Sequence, residues 1–102
     1  MHEKIKIILE QHVGKQNSIT SAEIASILGI KEDATHPKTR RFLFETAELY
    51  ELPIAATTKN PKGYFLITND EEYDEYIATL DSRIDGIEER KKIITNNYKR
   101  RK

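Results

Sequence analysis

At 102 residues, 37% hydrophobic and 33% charged, the chain is long enough for one small core and too short for two. Seventeen Lys and Arg balance seventeen Asp and Glu, and a net charge of zero argues against a protein that coats nucleic acid by bulk charge. No apolar run approaches the roughly 18 residues of a membrane span, the charged N-terminus lacks the core of a signal peptide, and the absence of cysteine removes disulfides, thiolate nucleophiles and cysteine zinc sites, so an intracellular, cytoplasmic chain is expected.

Residues 3 to 13 place Ile5, Ile8, Leu9 and His12 or Val13 at helical spacing, which predicts a short amphipathic helix ended by Gly14. Lys15 to Ile19 reads as a polar connection. Thr20 to Glu23 fits a capping box, in which the threonine oxygen accepts an N3 amide and the glutamate reaches back to the cap. Ala22, Ile24, Ala25, Ile27 and Leu28 continue that helix, and Gly29 supplies a left-handed stop. A polar loop, Lys31 to His36, leads to Pro37, suited to the first position of a third helix. That helix should run to about Tyr50 with Leu43, Phe44, Ala47 and Tyr50 facing inward, closed by Leu52 and Pro53.

Ile54 to Thr58 and Tyr64 to Ile67 read as the arms of a β-hairpin, with Lys59 to Gly63 as its turn. Thr68, Asn69 or Asp70 then caps a last helix, with Glu71 or Glu72 at the capping-box position. Between Asp70 and Glu89 nine acids stand against a single base, Arg83, while bases gather at Lys38 to Arg41, at Lys59 and Lys62, and from Arg90 to Lys102. Tyr73, Ile77, Leu80, Ile84, Ile87, Ile94 and Tyr98 step by fours and threes, with Lys91 filling the one gap, which is a heptad stripe. A helix from 70 to 98 would be about 40 Å long, against about 25–30 Å for a compact domain of this size. Its distal half must then protrude and pack on something, most simply a second copy in a coiled-coil homodimer. A helix that frays after Ile87, or bends back at Gly86, would serve as well.

The order helix, capped helix, turn, helix, two-stranded wing and long helix resembles the winged helix-turn-helix proteins of bacterial and phage genomes. Ile19 to Ile30, Thr39 to Phe44, Leu52 to Ile54 and Lys62 to Leu66 carry the resemblance. It implies an α+β, mostly helical fold, with a winged helix-turn-helix domain over residues 1–69 and a C-terminal arm over 70–102. It also implies duplex DNA as partner, with the third helix in the major groove and the wing on the backbone. Carried over by position, His36, Lys38, Thr39, Arg40 and Arg41 would meet the groove, and Lys59, Asn60 and Lys62 would be wing contacts.

Two features depart from that pattern. The segment Lys31 to Lys38 is longer than the usual turn and contains Glu32 and Asp33, acids that would face a polyanion. Arg40 falls where the family buries an aliphatic residue, and Phe42 lands on the outward face, where it would serve a protein contact or local packing. Arg40 and Arg41 would contact nucleic acid or pair with Glu45 and Glu48 along the same helix. The basic tail would follow a DNA backbone or simply complement a helix C-terminus.

Three histidines without paired spacing predict no metal site, and Glu71, Glu72, Asp74 and Glu75 suit a helix start better than a cation loop. No phosphate loop or nucleophile motif is present, so neither catalysis nor a cofactor is expected. Two functions remain. One is a DNA-binding regulator or phage- or mobile-element accessory factor, dimeric through Tyr73, Ile77, Leu80, Ile84, Ile87 and Ile94. The other is a winged-helix protein-binding module that inhibits or recruits a host or replication protein, with Phe42 among its contacts.

Overall fold

A computed structural model of the chain describes residues 1–32 and 36–100. It is α+β and mostly helical: α1 (His2–Glu10), a 3-10 turn (Lys15–Asn17), α2 (Ser21–Leu28), α3 (Pro37–Tyr50), β1 (Ile54–Thr57), β2 (Gly63–Leu66) and α4 (Asp70–Arg100). Asp33 lies outside the described residues, as do Arg101 and Lys102 at the end of the basic tail.

The local signals act as expected at most boundaries. Thr20 Oγ1 accepts the Glu23 amide at 3.1 Å and Glu23 reaches back to the Thr20 amide at 3.3 Å, so both halves of the capping box form. Gly29 ends α2 at φ 70°, and Pro37 opens α3. Asn69 Oδ1 caps α4 by accepting the Glu72 amide at 2.9 Å.

The core joins Ile5, Ile8 and Leu9 of α1, Ile24 of α2, Leu43 of α3, Ile19 and Leu66, with Leu28, Phe42, Leu52, Ile54 and Tyr64 packed against them. Three helices thus form a bundle closed by the antiparallel hairpin, in the register Ile54↔Leu66 to Thr57↔Gly63.

Long-range backbone pairing shifts two segments from their sequence reading. α1 stops at Glu10, short of Val13, because Leu66 N–H donates to the His12 carbonyl at 3.0 Å and Gly14 N–H donates to Leu66 at 2.8 Å. Ile19, read as the end of a polar connection, is buried in the core and exchanges both hydrogen bonds with Tyr64, at 2.9 and 2.7 Å. The segment between α1 and α2 therefore holds the outer edge of β2. Gly63 sits at that edge with φ 134°, where a Cβ would lie 2.3 Å from the Ile19 carbonyl oxygen. More than a turn glycine, it permits close backbone approach.

α3 is rotated from the expected inner face. Its buried line is Thr39, Leu43 and Thr46, whereas Phe44 is half exposed and Tyr50 exposed. Both threonines are buried with their hydroxyls satisfied. Thr46 donates to the Phe42 carbonyl at 2.7 Å, and Thr39 donates to Glu32. Phe42 accordingly turns toward the core beside His2, with ring centroids 5.7 Å apart, and is not on the outward face.

α4 is continuous through Gly86, so the bend is absent, and it extends past Ile87 to Arg100 without fraying. The long axis measures 54 Å and the radius of gyration 16.8 Å, against about 13 Å for a compact chain of this length. The distal half protrudes, and Ile84, Ile87 and Ile94 are 52%, 62% and 61% exposed. Nearer the bundle, Tyr73 and Ile77 are also exposed and Leu80 is half-buried.

Candidate nucleic-acid interface

A cleft of about 950 Å³ runs between the N-terminal turn of α2, the start of α3, the hairpin and the first half of α4. Its walls follow from the contacts that seat α4. Glu72 Oε2 accepts the Lys15 amide at 2.8 Å, and its other oxygen accepts from the Thr68 amide and hydroxyl at 2.9 Å each. Lys15 Nζ donates to Glu75, which also lies 3.9 Å from Lys59 Nζ. These contacts fasten α4 to the chain between α1 and α2, so α4 lies alongside the hairpin. The bond from the Lys15 amide, reinforced by Thr68, holds Glu72 below the ordinary carboxylate value. The Lys15 hydrogen bond and charge do the same for Glu75.

Of the residues expected to contact DNA, His36, Arg40, Lys59 and Lys62 meet in this cleft. The fold adds Lys15, Arg83, Tyr64 and Tyr76, together with Thr20, Ser21 and Ala22 at the start of α2. Of the five full bases that line it, Lys15 and Lys59 already face Glu75, while Arg40, Lys62 and Arg83 have no ion pair among the described residues. Burial raises the Tyr64 hydroxyl above its ordinary value, although nearby Arg40 opposes the shift. Tyr64 is thus a neutral donor and acceptor on the cleft wall. His36 contributes a buried Nδ1 with no hydrogen-bond partner among the described residues.

The remaining expected contacts lie elsewhere. Thr39 is fully buried and cannot meet a base edge. Arg41 is exposed but lies 3.6 Å from Glu45 and 5.8 Å from the Phe42 ring centroid, the pairing along α3 that its spacing allowed. Lys38 and Asn60 are exposed outside the cleft lining.

Glu32 has a structural role at the start of α3 and keeps its negative charge there. Its carboxylate accepts the amides of Lys38 at 2.7 Å and Thr39 at 3.1 Å, and the Thr39 hydroxyl, so it caps α3 from the loop. Partial desolvation pushes this carboxyl up, but the hydrogen bonds from Thr39 and Lys38 and the nearness of His36 outweigh it and hold it below the ordinary value.

The sequence carried one overlooked signal: Arg83 is the single base among nine acids, and it lines the cleft. Lys15 carried no comparable mark. Among the described residues no cluster of His, Asp and Glu has metal-holding geometry, and no helix is long and apolar enough to cross a membrane. No protein-family model matches the chain, and comparisons with curated proteins and solved structures yield no match.

Proposed function

We propose that the chain is a winged helix-turn-helix protein that binds duplex DNA through this cleft face, as a regulator or an accessory factor of a phage or mobile element. The convergence of Arg40, Lys62 and Arg83 from separate segments on one concavity, with Lys59 beside them, carries the proposal. Arg40 is its centre, because it projects from the start of α3 toward the hairpin bases Lys59 and Lys62. Phosphate oxygens would meet those three side chains and the first turn of α2, where helix-terminal amides and the dipole favour an anion. Two features that weighed toward a protein partner are accounted for inside the domain: Glu32 caps α3, and Phe42 packs on the core.

A second reading has one observation in its favour. Leu49, 63% exposed, stands near the end of α3 with Glu45, Glu48 and Glu51, a surface suited to a protein partner and not to phosphate, whereas Phe44 packs edge-on against Tyr64 with ring centroids 6.4 Å apart.

Fluorescence anisotropy with a labelled duplex across a salt series tests the DNA proposal. Affinity should fall steeply with salt, and Arg40→Ala or Lys62→Ala should each lower the log–log slope by about 0.9 per lost phosphate contact. Arg41→Ala should change it little. Absence of binding at micromolar protein and low salt would reject the proposal and leave the Leu49 surface as the site to pursue.

A further inference from the structure

The exposed stripe of α4 is nearly palindromic. A two-fold axis between Asp85 and Gly86 is equidistant from Ile84 and Ile87, from Leu80 and Lys91, from Ile77 and Ile94, and from Tyr73 and Tyr98. We infer that a second copy of this chain docks on the stripe antiparallel, about that axis. A closed two-fold pair presents the same patch from both subunits. Here Ile84 faces the partner's Ile87, Ile77 faces the partner's Ile94, and Tyr73 faces the partner's Tyr98. The one unlike layer sets Lys91 beside Leu80, where its aliphatic stem covers the leucine and its ammonium reaches outward.

The helix ends and the Lys91 layer favour this direction over a parallel pair, and with the apolar layers they must outweigh the like charges on the flanks. The first turns of α4 carry Asp70, Glu71, Glu72, Asp74 and Glu75, and its last described turn carries Lys99 and Arg100. In the antiparallel pair Asp70, Glu71 and Asp74 lie at the level of the partner's last turn, with its Lys99 and Arg100, whereas Glu72 and Glu75 are held on the cleft side by Lys15 and Thr68; the helix dipoles also oppose. A parallel pair would bring the acidic first turns together and set Lys91 against Lys91.

The pair also reaches the cleft. Arg90 follows Arg83 by one heptad and shares its side of the helix, so the partner's Arg90 comes beside Arg83 on the cleft wall. Asp81 meets the partner's Glu88 on the opposite flank, so each flank carries like charges, relieved on the cleft side when an anion lies between the arginines. Each cleft thus gains one arginine from the other subunit; this step rests on the cleft taking nucleic acid, whereas the dimer does not.

The chain has no cysteine, so single introduced cysteines can be spin-labelled and light scattering can report mass on the same samples. Twice 11.9 kDa is expected for the wild type, and half that for Ile84→Asp with its helical circular dichroism retained. A wild-type monomer at 100 µM or so would overturn the inference. Labels on Asn96→Cys should lie about 30 Å apart along the axis, and labels on Asp85→Cys should be separated only by the width of the pair. Equal short distances at both positions would mean a parallel pair and would overturn the orientation. Arg90→Ala should weaken duplex binding in the dimer and not in the Ile84→Asp background. An equal loss in both would place Arg90 in its own subunit's contacts and overturn the shared cleft, leaving the dimer measurement standing.

Discussion

Gly63→Ala is the substitution in which sequence, backbone and cleft are most tightly joined. The added Cβ would lie 2.3 Å from the Ile19 carbonyl oxygen, 2.5 Å from its carbon and 2.8 Å from the Thr20 nitrogen, all backbone atoms. The alanine would also have to hold φ 134°. Relieving the clash means separating Ile19 from β2, which breaks the two hydrogen bonds between Ile19 and Tyr64. Two such bonds contribute about 0.5–1.5 kcal/mol each and the strained backbone costs about 1–3 kcal/mol, so the substitution should destabilise by about 2–6 kcal/mol. That is a large share of the roughly 5–15 kcal/mol available to a domain of this kind. In urea the midpoint should fall by on the order of 1–3 M at unchanged slope. Gly29→Ala is the control: φ is 70°, but no atom lies within 4 Å of the new Cβ, so only the backbone cost of about 1–2 kcal/mol applies. Equal midpoints for the two variants would refute the close-approach account of Gly63. If the variant still folds, duplex affinity should drop as well, since the same pairing sets the hairpin against the start of α2.

Three further outcomes are expected. Glu32, Glu72 and Glu75 are all held below the ordinary value of 4.5, so the stability they contribute is full above that value and is lost as pH falls through their folded values. Glu32→Gln should therefore narrow the difference in urea midpoint between about pH 6 and about pH 3.5. Thr39→Val should lower the urea midpoint, because the buried hydroxyl donates to Glu32. It should leave duplex affinity unchanged in the folded fraction, the reverse of Arg40→Ala. Gly86→Ala should stabilise α4 by about 1 kcal/mol, seen as a higher thermal midpoint, since Gly86 is exposed in mid-helix and its Cβ would meet open space.

Legibility in the sequence divides along the range of the interactions. The capping box at Thr20, the stop at Gly29, Pro37 at a helix start and the hairpin around Lys59 to Gly63 are local chemistry, and each was readable from a few residues. The length of α4 followed from its heptad stripe. The end of α1 did not, because the bonds from Leu66 and Gly14 that turn His12 and Val13 out of the helix join segments some fifty residues apart in the sequence. The rotation of α3 was hidden for a different reason. Its buried line runs through two threonines that hydropathy scores as surface, and each is made acceptable inside by one hydrogen bond. Half of the cleft was readable, in Arg40, Lys59, Lys62 and His36. Lys15 and Arg83 come to it only through the seating of α4 by Glu72 and Glu75.

If the cleft takes duplex DNA as proposed, the rotation of α3 also decides where that duplex would lie. With Thr39, Leu43 and Thr46 inward, the exposed side of α3 has two chemically distinct ends. The first turns present Lys38 and Arg40, the latter opening on the cleft, with Phe44 one turn on and edge-on to Tyr64, while the later turns present Glu45, Glu48 and Leu49. Glu45 lies 3.6 Å from Arg41, so that arginine's charge is partly matched before any ligand arrives. A duplex laid along the whole of α3 would meet Glu48 and Glu51 at its far end. A duplex shifted toward the hairpin meets Arg40, Lys59 and Lys62 and avoids them. On the DNA proposal the favourable footprint is therefore the cleft end of α3 and the hairpin, with the Glu48 and Glu51 end left outside. On that footprint Glu48→Lys should extend the basic surface and tighten non-specific duplex binding, with a salt slope steeper by about 0.9 if one phosphate contact is added. Weaker binding for Glu48→Lys, with the fold intact, would mean that Glu48 makes a contact of its own and that the footprint is drawn in the wrong place.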